Sequence, residues 1–331
     1  MVVIMEVREM DKKLNELLWN NDNSTEFYNI KPLLAHYTSY PAAENILRVG
    51  EIWFSNPLQM NDYGEIGYTF NWFFTLLYQD KKLREILSTY GKEEEFWKEL
   101  YALRNSFMSK DASDVYVFCL AEHEKNAYES KNGSLSMWRG YGNDGTGIAI
   151  YFDTTTMIEA LDSPFVFSKV IYLQLDKLIE QIHELINKIV AFLNNERAEC
   201  EDKLSFLAKK IMDRVIMASL FTKSEGFSEE REWRVVYFPD IDHKKIYEKF
   251  IDYNVLNNGI QKKLKIPIDI LLEKSLPNGK QWKDMVDKIV IGPTENSELM
   301  KLGMYKMLEK LSLCDLKDKV SVSRTTYRVK K

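Results

Sequence analysis

The sequence has few of the residues that hold metal clusters or disulfide frameworks. It contains only three cysteines, which are far apart, and four histidines, which show no HExxH or paired-ligand spacing. An odd number of dispersed cysteines fits neither a zinc cluster nor a set of disulfide bonds. We therefore expect no transition metal held by the protein, and we expect small buried thiols in a reducing compartment.

Long apolar runs and a strong charge imbalance are also missing. No stretch approaches the roughly 18 consecutive apolar residues of a membrane span, and residues 1–13 lack the apolar segment of a signal peptide. With 45 Lys plus Arg against 50 Asp plus Glu, the net charge of −5 argues against a non-specific DNA-coating protein. We expect a cytoplasmic protein without membrane contact.

The remaining composition, 45% apolar and 29% charged, is typical of a globular protein with a sizeable core. Apolar runs bounded by turn residues predict strands, and helical periodicity predicts helices. The predicted strands are 33–38, 51–55, 114–121, 146–153, 165–173, 230–238, 263–268, 286–291 and 320–329, and the main predicted helices are 41–49, 64–79, 82–108, 175–222 and 297–313. Because strands and helices mix without a regular β–α–β alternation, we predict an α+β fold with a mixed, mostly antiparallel sheet.

The predicted organisation is a helical extension followed by one domain. Residues 1–30 form the extension, and residues 31–331 form a single catalytic-type α+β domain. A long helical insertion is expected within that domain at about 175–222, where helical periodicity continues without proline.

Four motifs follow one another along the chain. They are His36-Tyr37-Thr38; Trp53 to Pro57 followed by Asn61-Asp62; Trp138-Arg139-Gly140-Tyr141-Gly142; and Lys223 with Glu230, Glu232, Trp233 and Arg234. This ordered set resembles the bacterial family known as Domain of Unknown Function 2971, over residues 33–325. Met60 stands where that family more often has Phe, which leaves the polar Asn61-Asp62 pair intact.

A more distant resemblance supplies a chemistry. The first motif, a helix ending in Gly50 and a strand carrying Ser55 are similar to the opening of NAD-dependent ADP-ribosyltransferases. In those enzymes the motif His holds a ribose hydroxyl, an aromatic side chain stacks on nicotinamide, and a late Glu, often in a Glu-x-Glu motif, acts on the ribose. The resemblance implies an ADP-ribosyltransferase-like sheet core and NAD as substrate. The NAD-binding residues that it implies are His36, Thr38, Ser55, Asn61, Trp138, Tyr141 and Arg234.

Glu230 and Glu232 suit this chemistry. Cleavage of the nicotinamide–ribose bond passes through an oxocarbenium-like state, which a fixed negative group stabilises. On a strand, Glu230, Glu232 and Arg234 would share one face, and the arginine would favour the ionised carboxylate. We expect Glu232 to stabilise the oxocarbenium ion, Glu230 to orient or activate the acceptor, and His36 to assist. The alternative is a cross-strand ladder of salt bridges on a solvated face.

Purely structural roles are also open for the candidate ligands. His36 either donates to a ribose hydroxyl or is a satisfied core histidine, and Thr38 either binds the ligand or caps the next helix. Asn61-Asp62 either closes over the substrate or caps the helix at 64–79. Trp138 and Tyr141, three residues apart, either stack on a base or pack in the core.

The leading hypothesis is an ADP-ribosyltransferase that modifies nucleic acid or protein. The resemblance further implies a toxin or an anti-phage defence effector, with a cognate inhibitor or antitoxin as a partner. A metal-dependent nuclease using Asp62, Glu65, Glu230 and Glu232 is one alternative. A non-catalytic sensor or partner-binding protein that uses the 175–222 helices is the other.

Overall fold

The computed structural model describes most of the chain. The described residues are 12–14, 16–18, 26–57, 64–109, 115–158, 163–196, 203–239, 242, 244–256 and 259–327. Asn61 and Asp62 lie outside them, as do residues 328–331. Within the described ranges, no helix is both long enough and apolar enough to cross a membrane.

Eleven α-helices with complete bounds can be followed through the described residues. They are α1 (Glu26–Ile30), α2 (Tyr40–Val49), α3 (Gly64–Gln79), α4 (Lys81–Thr89), α5 (Glu93–Ser109), α6 (Tyr128–Asn132), α7 (Leu135–Gly140), α8 (Leu175–Asn195), α9 (Leu204–Phe221), α10 (Ile268–Leu272) and α11 (Ser297–Lys310). Short 3₁₀ helices occupy Glu225–Glu230, Glu248–Phe250, Trp282–Met285 and Cys314–Lys319.

The strands lie between these helices in most of the predicted places. They are β1 (Leu33–Thr38), β2 (Glu51–Ser55), β3 (Tyr116–His123), β4 (Ile148–Asp153), β5 (Phe165–Lys169), β6 (Ile171–Leu173), β7 (Thr222–Ser224), β8 (Glu232–Tyr237), β9 (Ile251–Leu256), β10 (Gly259–Pro267), β11 (Val286–Ile291) and β12 (Val320–Val322). The predicted α+β class, with a mixed and mostly antiparallel sheet and a long helical insertion, is confirmed.

The described chain divides into two compact units, and the first is mainly helical. It comprises the described residues within Met1–Asp22, Asn56–Val115 and Val170–Ser228. Helix α9 packs against α3 and α5, and α8 packs against α3 and α4. Helix α8 buries Ile182, Ile186, Ile189 and Leu193 on one stripe, as the 3.6-residue period requires. A two-stranded parallel sheet joins β6 to β7 in this unit.

The predicted helix over 82–108 is two helices in the structure. The break falls between α4 and α5, where Gly91 adopts a left-handed φ of +66°. Glycine reaches this region without the steric cost that a Cβ imposes, so it ends a helix readily.

The second unit is built on a ten-stranded sheet. It comprises Asn23–Ser55, Tyr116–Lys169 and Glu229–Lys331, apart from the residues that are not described. The strand order is β12-β11-β4-β1-β3-β2-β10-β9, with β8 pairing with β3 and β5 outside this path. Among the strand pairs described for this sheet, only β11–β12 is parallel.

Strand β3 is shared by three neighbours. Strand β8 pairs with one edge of β3 from Tyr116 to Ala121. The other edge is divided between β1, which pairs with Ala121 to His123, and β2, which pairs at Val117. Cys119 therefore lies where β1 and β2 part from each other.

Strand pairing defines two faces of this sheet, because paired residues project to the same side and successive residues alternate. Ala35 pairs with Ala121, and Ala121 pairs with Glu232. We call the side that these three residues share the carboxylate face. The opposite side, which we call the core face, carries Leu34 and Phe118 and the larger of the two buried apolar clusters of this unit.

Two glycines near the end of α7 tolerate a Cβ very differently. A Cβ on Gly147 would lie 2.3 Å from the carbonyl oxygen of Thr38 and 2.8 Å from that of Gly142. Both contacts are with backbone atoms, which cannot rotate away. A Cβ on Gly140 would meet nothing within 4 Å.

We predict that Gly147→Ala lowers the free energy of unfolding by about 3 kcal/mol, since overpacking against rigid backbone costs energy of this order. Gly140→Ala should stay within about 1 kcal/mol of the wild type, because alanine favours a helix. Urea unfolding followed by circular dichroism measures both values. Equal stability of the two variants would contradict the close approach of the Thr38 and Gly142 carbonyls to Gly147.

Candidate functional site

Glu232 and Arg234 form a buried ion pair at the start of β8. The Nε atom of Arg234 donates to Oε1 of Glu232 at 2.8 Å, and Nη2 donates to Oε2 at 2.9 Å. The exposed fractions are 5% for Glu232 and 1% for Arg234. The two residues alternate to the same face of the strand, which makes this bidentate contact geometrically available. The Glu232 carboxylate is therefore held in one orientation.

Glu230 lies outside strand β8, so the prediction that it shares a strand with Glu232 is wrong. It ends the 3₁₀ helix Glu225–Glu230, and β8 begins only at Glu232. Between them, Arg231 has a φ of +43°, and its carbonyl accepts a hydrogen bond from the Glu122 amide at 2.9 Å. A left-handed non-glycine residue is uncommon and costs energy, and such residues often occur at functional sites. The position of Glu230 is therefore set by this turn rather than by the alternation of a strand.

Tyr141 contacts the carboxylate of Glu230. Its hydroxyl donates to Oε1 of Glu230 at 3.0 Å, and both side chains are half-buried. Tyr141 follows the last residue of α7 and packs against the buried cluster on the carboxylate face. The second unit therefore holds a half-buried carboxylate, Glu230, two residues before Glu232 of the buried Glu232–Arg234 pair.

His36 lies at the division of the sheet. Its Nδ1 is 3.1 Å from the carbonyl oxygen of Cys119, and its ring centroid is 4.5 Å from that of Phe118. Burial lowers the pKa of His36 to about 4, against the opposing effect of the hydrogen bond to Cys119. The carbonyl of Cys119 can only accept, so Nδ1 of the neutral ring carries the proton and donates to it. This hydrogen bond assigns the Nδ1–H tautomer to His36. The half-buried imidazole thus fills the space between β1 and β2.

His36 and Glu232 do not face one cleft. Ala35 is on the carboxylate face with Glu232, so the next residue, His36, projects to the core face. Its stacking on Phe118, also on the core face, agrees with this assignment. A catalytic site that contains both His36 and Glu232 would need the two side chains on one face, whereas strand alternation puts the sheet between them.

Two other predicted ligands are occupied by structural contacts, and a third is not described. Trp138 is fully buried, donates from Nε1 to the Asn132 carbonyl at 2.8 Å and packs edge-on against Tyr37. Thr38 is buried and pairs with Ile148 on the core face, whereas the neighbouring Ser39 caps α2. Asn61 lies outside the described residues.

Ser55 is on the carboxylate face with Lys263, a residue that was not among the predicted site residues. Ser55 pairs with Val117, and Lys263 Nζ donates to its hydroxyl at 2.8 Å. Burial lowers the pKa of Lys263. The sequence pattern that could have indicated Lys263 is the alternation in β10, where Lys263 and Lys265 alternate with buried Leu264 and Ile266.

A hydrogen-bonded network supports the segment that carries Tyr141. The Tyr37 hydroxyl lies 3.0 Å from Nε2 of His123 and 3.3 Å from the Tyr151 hydroxyl, and it accepts from the Ser134 amide at 2.9 Å. Tyr37 is buried, as expected for a residue on the opposite face from His36. Because Ser134 immediately precedes α7, these bonds fix the start of the helix whose end presents Tyr141.

The described residues contain no group of three or more His, Cys, Asp or Glu side chains placed to hold a metal ion. Of the carboxylates proposed for a nuclease, Asp62 and the side chain of Glu65 lie outside that description. Glu232 is occupied by Arg234, so the structure does not assemble this set within its described part.

Comparison with known families covers the part of the chain around these carboxylates. Residues 137–235 match the model described as Protein of unknown function (DUF2971). The predicted resemblance to DUF2971 is thereby confirmed on this segment. It contains Tyr141, Glu230, Glu232 and Arg234, whereas His36 lies outside the DUF2971 match. No curated protein and no solved structure matches the chain. The resemblance to ADP-ribosyltransferases stays a prediction.

The depressed pKa of His36 predicts a pH-dependent stability. The neutral ring is favoured in the fold, so its stabilisation is complete above pH 6.5 and is lost as the pH falls from 6.5 towards about 4. His123, whose pKa burial also lowers to about 4, acts in the same direction. His36→Gln should reduce the loss of unfolding free energy between about pH 7 and pH 5 by roughly 2 kcal/mol.

Urea titrations at the two pH values measure this difference. His183→Gln is the control, because His183 is exposed on α8. A His36 variant with the full pH dependence of the wild type would show that the imidazole is not buried in the fold.

Proposed function

We propose that the protein is an NAD-dependent ADP-ribosyltransferase that modifies a macromolecule, with its reacting site on the carboxylate face. The observation that carries this proposal is the pair of glutamates around Arg231, one buried and fixed by Arg234, the other half-buried and aligned by Tyr141. The Glu-x-Glu resemblance supplies the reaction class. The resemblance also suggests a toxin or a defence effector with a cognate inhibitor.

Glu230 is the better candidate for contact with the ribose. In the proposed reaction the bond between ribose C1′ and the nicotinamide nitrogen breaks, and its electron pair leaves with nicotinamide. The positive charge that develops on the ribose needs a carboxylate already in place. Glu230 is half-buried and held by Tyr141, whereas both oxygens of Glu232 accept hydrogen bonds from Arg234. We therefore transfer the oxocarbenium role from Glu232 to Glu230.

Glu232 and Arg234 act as positioning residues in this proposal. Their bidentate ion pair fixes the start of β8. Arg231, which has a positive φ, connects this fixed segment to Glu230. Breaking a buried ion pair on one side typically costs about 3–5 kcal/mol, because an uncompensated charge remains. His36 is not assigned a contact with NAD, since it projects to the core face and satisfies Cys119. The acceptor attacks C1′ and releases its proton to a base or to water.

We predict that Glu230→Gln lowers the turnover of NAD by roughly 10²–10³-fold, the usual effect of removing one preorganised electrostatic contact. The tyrosine can still donate to the amide oxygen, so the fold should persist. Glu229→Gln is the matched control, because Glu229 is exposed in the same 3₁₀ helix. The assay follows label transfer from NAD to macromolecules of a bacterial extract, together with nicotinamide release.

Addition of EDTA separates the alternatives. Transfer that survives EDTA and needs Glu230 supports the proposal, whereas strand cleavage that depends on a divalent metal supports the nuclease. The absence of both label transfer and nicotinamide release in the wild type would contradict the proposal and favour a non-catalytic binding protein.

A further inference from the structure

A basic pocket lies at the β11–β12 end of the sheet in the second unit. Its volume is about 470 Å³, within the range of small-molecule sites. The lining residues are Lys131, Asn132, Lys288, Glu298, Lys301, Ser321, Val322 and Arg324. Four cations thus face one carboxylate in a chain whose net charge is −5. Such local concentration of one sign attracts anions.

Most of this positive charge is not neutralised by the protein. Lys288 forms a salt bridge with Asp287 at 3.1 Å. Within the described part of the chain, Lys131, Lys301 and Arg324 form no salt bridge. Lys131 comes from α6, Lys301 from α11 and Arg324 from the segment after β12, so the cations converge from separate elements.

The base of the pocket is fixed by Asn132. Its side-chain oxygen accepts from the Arg324 amide at 2.8 Å, and its side-chain nitrogen donates to the Tyr128 carbonyl at 3.0 Å. The Asn132 carbonyl accepts from the Ser323 hydroxyl at 2.6 Å and from the Trp138 indole at 2.8 Å. These bonds hold α6 and the segment after β12 together before any ligand arrives, which lowers the cost of ordering a site.

The pocket is separate from the site around Glu230. Strand pairing connects Lys288 to Tyr151, Tyr151 to Ala35, Ala35 to Ala121, and Ala121 to Glu232. Four strand spacings of about 4.8 Å place Lys288 roughly 19 Å from Glu232. The cations of the pocket therefore lie four strands away from the Glu232–Arg234 pair.

We propose that this pocket binds a small ligand that carries two or more phosphate groups. Arginine and lysine side chains are the usual partners of phosphate oxygens. The only aliphatic side chain in the lining is Val322, so recognition rests on the phosphates rather than on an apolar body. A nucleic-acid backbone would instead need an extended basic track. The proposal does not depend on ADP-ribosyl transfer.

Calorimetric titration of the full chain with inorganic tripolyphosphate, and separately with ATP, tests the proposal. We expect both to bind, and a much higher affinity for ATP would identify a nucleotide as the source of the phosphates. The double variant Lys131→Gln/Arg324→Gln should weaken binding at least about tenfold, the effect of losing about 1.4 kcal/mol. It should fold, because the backbone rather than the side chain of Arg324 contacts Asn132.

Two further variants make the test specific. Lys306→Gln/Lys310→Gln removes the same charge from α11 outside the pocket and should change affinity less than twofold. Glu298→Gln should tighten binding, because it removes the one carboxylate in the lining. Absence of tripolyphosphate binding, equal weakening by both double variants, or binding of a single-stranded oligonucleotide only would overturn the proposal.

Discussion

The division of one edge of β3 between β1 and β2 is the constraint on which the second unit depends. A strand normally gives each edge to one neighbour, yet β3 pairs with β8 on one side and with two strands on the other. The place where β1 and β2 part exposes a backbone carbonyl, that of Cys119, which must find a donor because buried carbonyls are costly when unpaired. His36 supplies it, and burial holds the ring neutral with a pKa of about 4.

This arrangement puts His36 and the proposed reacting site on opposite faces of the sheet. On the core face, His36 and Phe118 complete the packing where the sheet divides. On the carboxylate face, β8 begins with the Glu232–Arg234 ion pair. The two residues before β8 are Arg231, which has a positive φ, and the half-buried Glu230, whose carboxylate accepts a hydrogen bond from Tyr141. Buried ion pairs often add little net stability. In this pair, two hydrogen bonds from Arg234 orient the Glu232 carboxylate. The DUF2971 match contains Tyr141, Glu230, Glu232 and Arg234 but not His36.

Local sequence patterns predicted most helices and strands. They did not predict side-chain positions that depend on strand register or on a single backbone angle. Helix α2 was predictable because proline in its first turn and Gly50 at its end both act locally. The opposite placement of His36 and Glu232 did not follow from local patterns, because it depends on which residues of three strands pair. Glu230 was wrongly predicted to lie on the strand, because the Glu-Arg-Glu sequence does not indicate that Arg231 adopts a positive φ. The basic pocket draws Lys131, Lys301 and Arg324 from distant segments, so only the tertiary structure could bring them together.

A crystal structure of the protein with a slowly hydrolysed NAD analogue tests the central claim, that the reacting site lies on the carboxylate face. The account predicts the nicotinamide ribose within hydrogen-bonding distance of Glu230 and beside Tyr141, with the Glu232–Arg234 pair intact and the His36 bond to Cys119 unbroken. A ribose bound to His36 on the core face, remote from Glu230, would contradict it.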